Sequence, residues 1–193
     1  MTIRKCLSVV GLAAAIMMLP GARAAEALNI DWGVTDDIAR GDDTSQAVIN
    51  GLIAPFIGSA DLLYKENVGD GFDTGSLADS YHTIYTNSPS DPSDADIIYD
   101  GAPDPYVTGQ SYLLVKDGNH SPAWLLFDLT ALGWNGTDTI NVNGFWPEGG
   151  AISHVAIYGT STSVPEPATL SLIGIGLLGV GAARRRIRPV TTA

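Results

Sequence analysis

Cysteine is almost absent from this chain. Its one cysteine, Cys6, stands near the start, in a stretch read below as a removable leader, so the exported part has no disulfide, thiol nucleophile or thiolate metal ligand. Positive charge is nearly as scarce. Between residues 25 and 163, three basic side chains (Arg40, Lys65 and Lys116) stand against twenty acids, a net charge of −17. Such a surface repels nucleic-acid phosphate and anionic lipid, which excludes a nucleic-acid partner, and it suits a soluble exported protein or one that binds cations. The three histidines, His82, His120 and His154, form no H-x-x-x-H, H-E-x-x-H or i, i+2 pair, so no histidine metal motif is present. Nor is there a G-x-S-x-G elbow. Ser121, Asp128 and His154 supply the residue types of a hydrolytic triad, but nothing in their spacing implies the geometry. No catalytic and no metal residues are assigned, and the expectation is a protein that is not an enzyme.

What the chain does have is two ends with clear physical roles. At the front, Arg4 and Lys5 precede the apolar run Leu7 to Leu19, and Ala22 and Ala24 put small residues at the −3 and −1 positions of a signal-peptidase site. Residues 1–24 therefore read as a secretory signal peptide, too short in its apolar run to be a permanent span. At the back, Val164, Pro165, Glu166 and Pro167 form an extended, proline-locked segment, because each proline fixes φ and biases the residue before it away from helix. Residues 168–183 then carry no charge; as a helix they reach about 24 Å, somewhat short of a hydrocarbon core of about 30 Å. Arg184, Arg185, Arg186 and Arg188 follow, a basic stop that holds this end on the cytoplasmic side and leaves the preceding domain outside. Gly174, Gly176 and Gly179 match a dinucleotide-binding pattern by spacing alone, without the strand and βαβ unit that pattern needs.

This tail resembles the PEP-CTERM sorting signal over about thirty residues: proline motif, glycine-containing apolar helix and terminal arginine cluster. The resemblance implies processing by an exosortase, a membrane-embedded enzyme resembling a cysteine transpeptidase, in a Gram-negative bacterium that makes exopolysaccharide. On that view residues 164–193 are a sorting tail, its helix is a transient inner-membrane anchor, and the exported domain ends at the cell surface or outside the cell. Pro189 to Ala193 extend beyond the arginines, where many such tails stop sooner.

Residues 25–163 are the size of one domain. Seven short apolar or β-branched runs separated by turn residues, Asp61 to Val68, Tyr81 to Thr86, Ile97 to Tyr99, Ser111 to Lys116, Trp124 to Thr130, Thr139 to Trp146 and Ile152 to Tyr158, predict an all-β, antiparallel, jelly-roll-like sandwich. Short connections argue for antiparallel pairing throughout. Ile140 and Val142 alternate with Asn141 and Asn143, as in a half-buried strand. Trp124 to Phe127 do not alternate, which predicts a strand covered on both faces. Asp117-Gly118 and Asn135-Gly136 read as turns with glycine at positive φ. Residues 25–59 are poorly patterned: Thr44 and Ser45 suit a cap for a short helix carrying Ala47, Val48, Ile49, Leu52 and Ile53, but Gly51 and Pro55 interrupt it, and a strand bent at Gly51 is the alternative. The stretch from Gly118 to Val155 also looks like the sandwich that precedes many PEP-CTERM tails.

Three features carry candidate chemistry. Trp134 and Trp146 flank Gly, Asn and Pro in loops and are candidate stacking platforms for a glycan; packing beneath a loop is the other reading. Asp91, Asp94, Asp96, Asp100 and Asp104, with Asp36, Asp37, Asp42 and Asp43, are oxygen ligands of the kind calcium takes, although Ile98 and the lack of a closing glutamate rule out an EF-hand. A solvated acidic loop is the leading reading of them, with calcium binding second. His154 reads as a hydrogen-bonded structural histidine. The functional expectation is an exosortase-processed structural or adhesive protein of the surface or matrix, and the alternative is a glycan-binding module, with or without calcium, acting on exopolysaccharide.

Overall fold

The computed structural model describes residues 27–69, 71–87, 90–101 and 104–161. The signal peptide expected over 1–24 and the sorting tail expected over 164–193 lie outside them. In chain order the elements are β1 (Leu28–Asp31), β2 (Ala39–Gly41), α1 (Gln46–Ile57), β3 (Asp61–Asn67), β4 (Asp73–Thr74), β5 (Tyr81–Thr86), β6 (Asp94–Tyr99), β7 (Val107–Asp117), β8 (Trp124–Asp128), β9 (Ile140–Asn143) and β10 (Ile152–Ser161). A single 3-10 turn, Ala78–Ser80, precedes β5. Each of the seven predicted runs is a strand. They assemble into a four-stranded sheet, β1-β9-β6-β5, and a six-stranded sheet, β2-β8-β7-β10-β3-β4. The domain is an all-β sandwich with one α-helix.

Strand periodicity explains how the layers close. Alternate residues of β9, Ile140 and Val142, are fully buried while Asn141 and Asn143 face outward. They meet Leu63, Leu113, Val115, Leu125, Phe127, Val155 and Ile157 of the six-stranded sheet in the inter-sheet core. The opposite face of that sheet is apolar too: Tyr112, Leu114, Trp124, Leu126, Ala156 and Tyr158 pack beneath Ile49 and Ile53 of α1. Hence β8 is buried on both faces, as its unbroken apolar run requires. Each fully buried aliphatic side chain is worth about 1.5–3 kcal/mol. A polar clasp also joins the sheets. The Tyr64 hydroxyl donates to Glu66 Oε2 at 2.7 Å and lies 2.7 Å from Thr83 Oγ1, and the Thr83 amide of β5 donates to the same carboxylate at 2.7 Å.

The helix reading wins over the bent strand at residues 46–57. Ser45 occupies the cap position without a side-chain cap bond, and Gly58 closes the helix at φ 60 with its amide on the Ala54 carbonyl. Pro55 removes one ladder bond, so burial of Ile49 and Ile53 holds this segment rather than propensity. Val48, Leu52 and Phe56 face outward on the same helix.

Two expectations are corrected. Pairing is not antiparallel throughout, because β1 runs parallel to β9, with Leu28 opposite Ile140 and Asp31 opposite Asn143. The argument from short connections does not reach a pair so distant in sequence, and side-chain bonds from Asn141 to Asn29 (3.1 Å) and from Asn143 to Asp31 (2.9 Å) fasten it. Gly118 is not at positive φ. Instead Asp117 Oδ1 accepts the Asn119 amide at 2.7 Å, a side-chain turn that needs no left-handed glycine. At Asn135-Gly136 the expectation holds: Gly136 has φ 88, and Asn135 Oδ1 accepts the amides of Thr137 and Asp138.

Candidate functional site

Trp146 begins the most unusual local structure on the surface. Gly144 turns the chain at φ 65 directly after β9, Phe145 enters the core, and Trp146 itself takes φ 50. A bulky residue rarely occupies that left-handed region and persists there only when its surroundings over-determine it. Here they do. The indole Nε1 donates to the Pro122 carbonyl at 2.7 Å, and the amides of Gly149 and Gly150 both donate to the Trp146 carbonyl at 3.2 Å. Gly150 has no room for a side chain, since a Cβ would meet Asp117, Trp146 and His120. The 147–150 turn is thereby clasped against the β7–β8 loop.

Trp32 completes the corner from the end of β1, where its amide donates to the Asn143 carbonyl at 3.0 Å. Its ring lies 5.4 Å from Trp146 at 46° and 5.5 Å from Phe145 at 69°, and it remains half-buried while Trp146 is only 3% exposed. In front lies a cleft of about 270 Å³ lined by Trp32, His120, Ser121, Trp146, Pro147 and Glu148. His120 Nδ1 faces the buried Asp117 carboxylate at 3.6 Å. Asp117 Oδ2 also accepts the Ala151 amide at 3.0 Å.

The sequence candidates fare differently. Trp134 and Trp146 are buried, at 8% and 3% exposure, and the Trp134 Nε1 donates to the Asp138 carbonyl at 2.7 Å. Neither ring is an open platform, and the packed reading fits their burial, although each contributes to the lining of a groove. Trp32, His120 and Glu148, which no sequence motif marks, line the cleft beside Trp146. The triad types do not assemble either. Ser121 donates to Asp42 at 2.7 Å, and Asp128 takes the Gln110 side chain and the Ala131 amide.

His154 is buried on the outer face of β10, between Lys116 of β7 and Asn67 of β3 in register. Burial lowers its pKa to about 3, with Lys65 and Lys116 pushing the same way. Its Nε2 has no hydrogen-bond partner among the described residues. The acids are dispersed among local partners: Asp37 binds Arg40, Asp94 binds Asn87 and the Gly144 amide, and Asp100 binds His82. Among the described residues no group of three His, Cys, Asp or Glu side chains gathers to hold a metal.

Beyond β10, comparison with known protein families finds a match at residues 163–186. The chain carries a PEP-CTERM protein-sorting motif. This match contains Val164, Pro165, Glu166, Pro167 and the arginines Arg184, Arg185 and Arg186. A PEP-CTERM motif implies export, recognition by an exosortase and sorting to the membrane or cell surface. No helix among the described residues is long and apolar enough to cross a membrane; the span expected over 168–183, the Arg188 end of the basic stop and the Ala22 and Ala24 site lie outside those residues. No curated protein and no solved structure matches the chain.

Proposed function

We propose that this is an exported surface or extracellular-matrix protein whose sandwich has a structural or adhesive, non-enzymatic role. Signal peptidase cuts after Ala24, residues 168–183 anchor the chain transiently in the inner membrane above the basic stop, and exosortase acts near Pro165. The observation that carries this reading is the position of the sorting motif. It begins two residues after the end of β10, so processing there would free a domain with all its strands. The charge of the domain fits an aqueous destination and disfavours adsorption to anionic lipid once the anchor is gone. Mass spectrometry of culture supernatant and membranes tests it. A released form starting at Ala25 and ending near Pro165 is expected; a chain found solely in membranes with its C-terminus intact would overturn the processing step.

A further inference from the structure

We infer that the Trp32–Trp146 cleft is a carbohydrate-binding site, and that its ligand is an amino-sugar pyranose within a polymer. The inference deepens the adhesive role proposed above, and rests on it for where the polymer is met.

The cleft wall and rim differ in chemistry. The wall is aromatic: the half-exposed Trp32 ring backed by Trp146, whose left-handed backbone is locked by its own carbonyl and indole bonds. The rim is polar and exposed, with the His120 imidazole, the Ser121 hydroxyl and the Glu148 carboxylate. A pyranose ring has matching parts, an apolar C–H face that stacks on an indole and an edge of hydrogen-bonding groups. At about 270 Å³ the cleft falls just below the usual range of about 300–1,000 Å³ for ligand pockets, room for about one or two sugar rings rather than an extended peptide. His120 Nδ1 lies 3.6 Å from the Asp117 carboxylate, which leaves Nε2 on the opposite ring edge.

Charge selects among sugars. Among the described residues Glu148 is the only acid lining the cleft and no Lys or Arg lines it, and residues 25–163 carry −17 overall. A uronic acid would be repelled, while an ammonium group gains both from the carboxylate and from the aromatic face.

The test compares three β-1,4-linked hexasaccharides differing only at C2: those of glucosamine, N-acetylglucosamine and glucose. Binding to the full chain is measured calorimetrically at pH 6 in a polyoxyethylene detergent, which carries no sugar. The glucosamine hexamer should bind at least tenfold more tightly than the glucose hexamer, Trp32→Ala should abolish binding, and Glu148→Gln should reduce the preference to about one. Trp32 also packs against Phe145, so Glu148→Gln, at an exposed position, decides if the tryptophan variant fails to fold. The inference is overturned if no hexasaccharide binds, if all three bind equally, or if Glu148→Gln retains the full preference, which would assign it to the acidic surface at large. Export is read independently from the mass of the secreted C-terminus, so either result can fail without the other.

Discussion

His154 gives the most quantitative prediction. It sits at 5% exposure with its pKa lowered to about 3, first by loss of water and then by Lys65 and Lys116. In the unfolded chain the same imidazole titrates near 6.5. A group whose folded pKa is depressed contributes stability above the unfolded pKa and loses it as pH falls toward the folded one. Below about pH 6.5 the unfolded state therefore binds a proton that the folded state refuses. Between pH 7 and pH 4.5 this one residue should cost the fold about 2 to 3 kcal/mol. His154→Leu fills the same site without a titrating nitrogen and without the unpartnered Nε2. Denaturation followed by tryptophan fluorescence should show a loss of stability from pH 7 to pH 4.5 that is smaller in the variant by that amount. Other groups titrate alike in both proteins and cancel. An equal loss in the two would refute the argument and mean that His154 is protonated in the folded state.

Tyr81→Phe removes a hydroxyl that donates to the Gly136 carbonyl at 2.7 Å and accepts the Val107 amide at 3.0 Å; leaving both buried groups unpaired should cost about 1–3 kcal/mol, read as a lower denaturation midpoint with unchanged m-value. Gly136→Ala should be at least as damaging, because the residue has φ 88 and a Cβ would run into the Val107 carbonyl; a melting point within a degree of the parent would contradict it. Thermal melts in chelator and in millimolar calcium should coincide, since no three acids among the described residues gather where one cation could bind them. A rise in melting point with calcium would show a site bound in the folded state alone.

The parts of the fold that were legible in the sequence are those set by local periodicity. Ile140 and Val142 announce a one-faced strand, Trp124 to Phe127 a two-faced one, and both are found so. The sorting motif is legible for a different reason: its chemistry is linear and needs no fold. By contrast β1 and β2 are four and three residues long, too short to show a period, and β1 finds its partner across most of the domain. Helix α1 stayed ambiguous because Gly51 and Pro55 oppose the helix locally, and the burial that settles it comes from β7, β8 and β10. The cleft was half legible. Trp146 stood out as a tryptophan between glycine and proline, but its turn buries the ring and presents Trp32 instead, a residue from a poorly patterned segment more than a hundred positions earlier. No local rule joins them; the parallel pairing of β1 with β9 does.

Strand β10 is interior to its sheet, hydrogen-bonded to β7 on one side and β3 on the other, and it ends at Ser161, ahead of the sorting motif in the sequence. Tension transmitted through the tail would therefore pull along this strand's axis. It would load two ladders of peptide bonds in parallel, so that they must slide together and cannot peel apart one rung at a time. Until the proposed cut near Pro165 is made, the domain would hang from an interior strand and not from an edge that unzips.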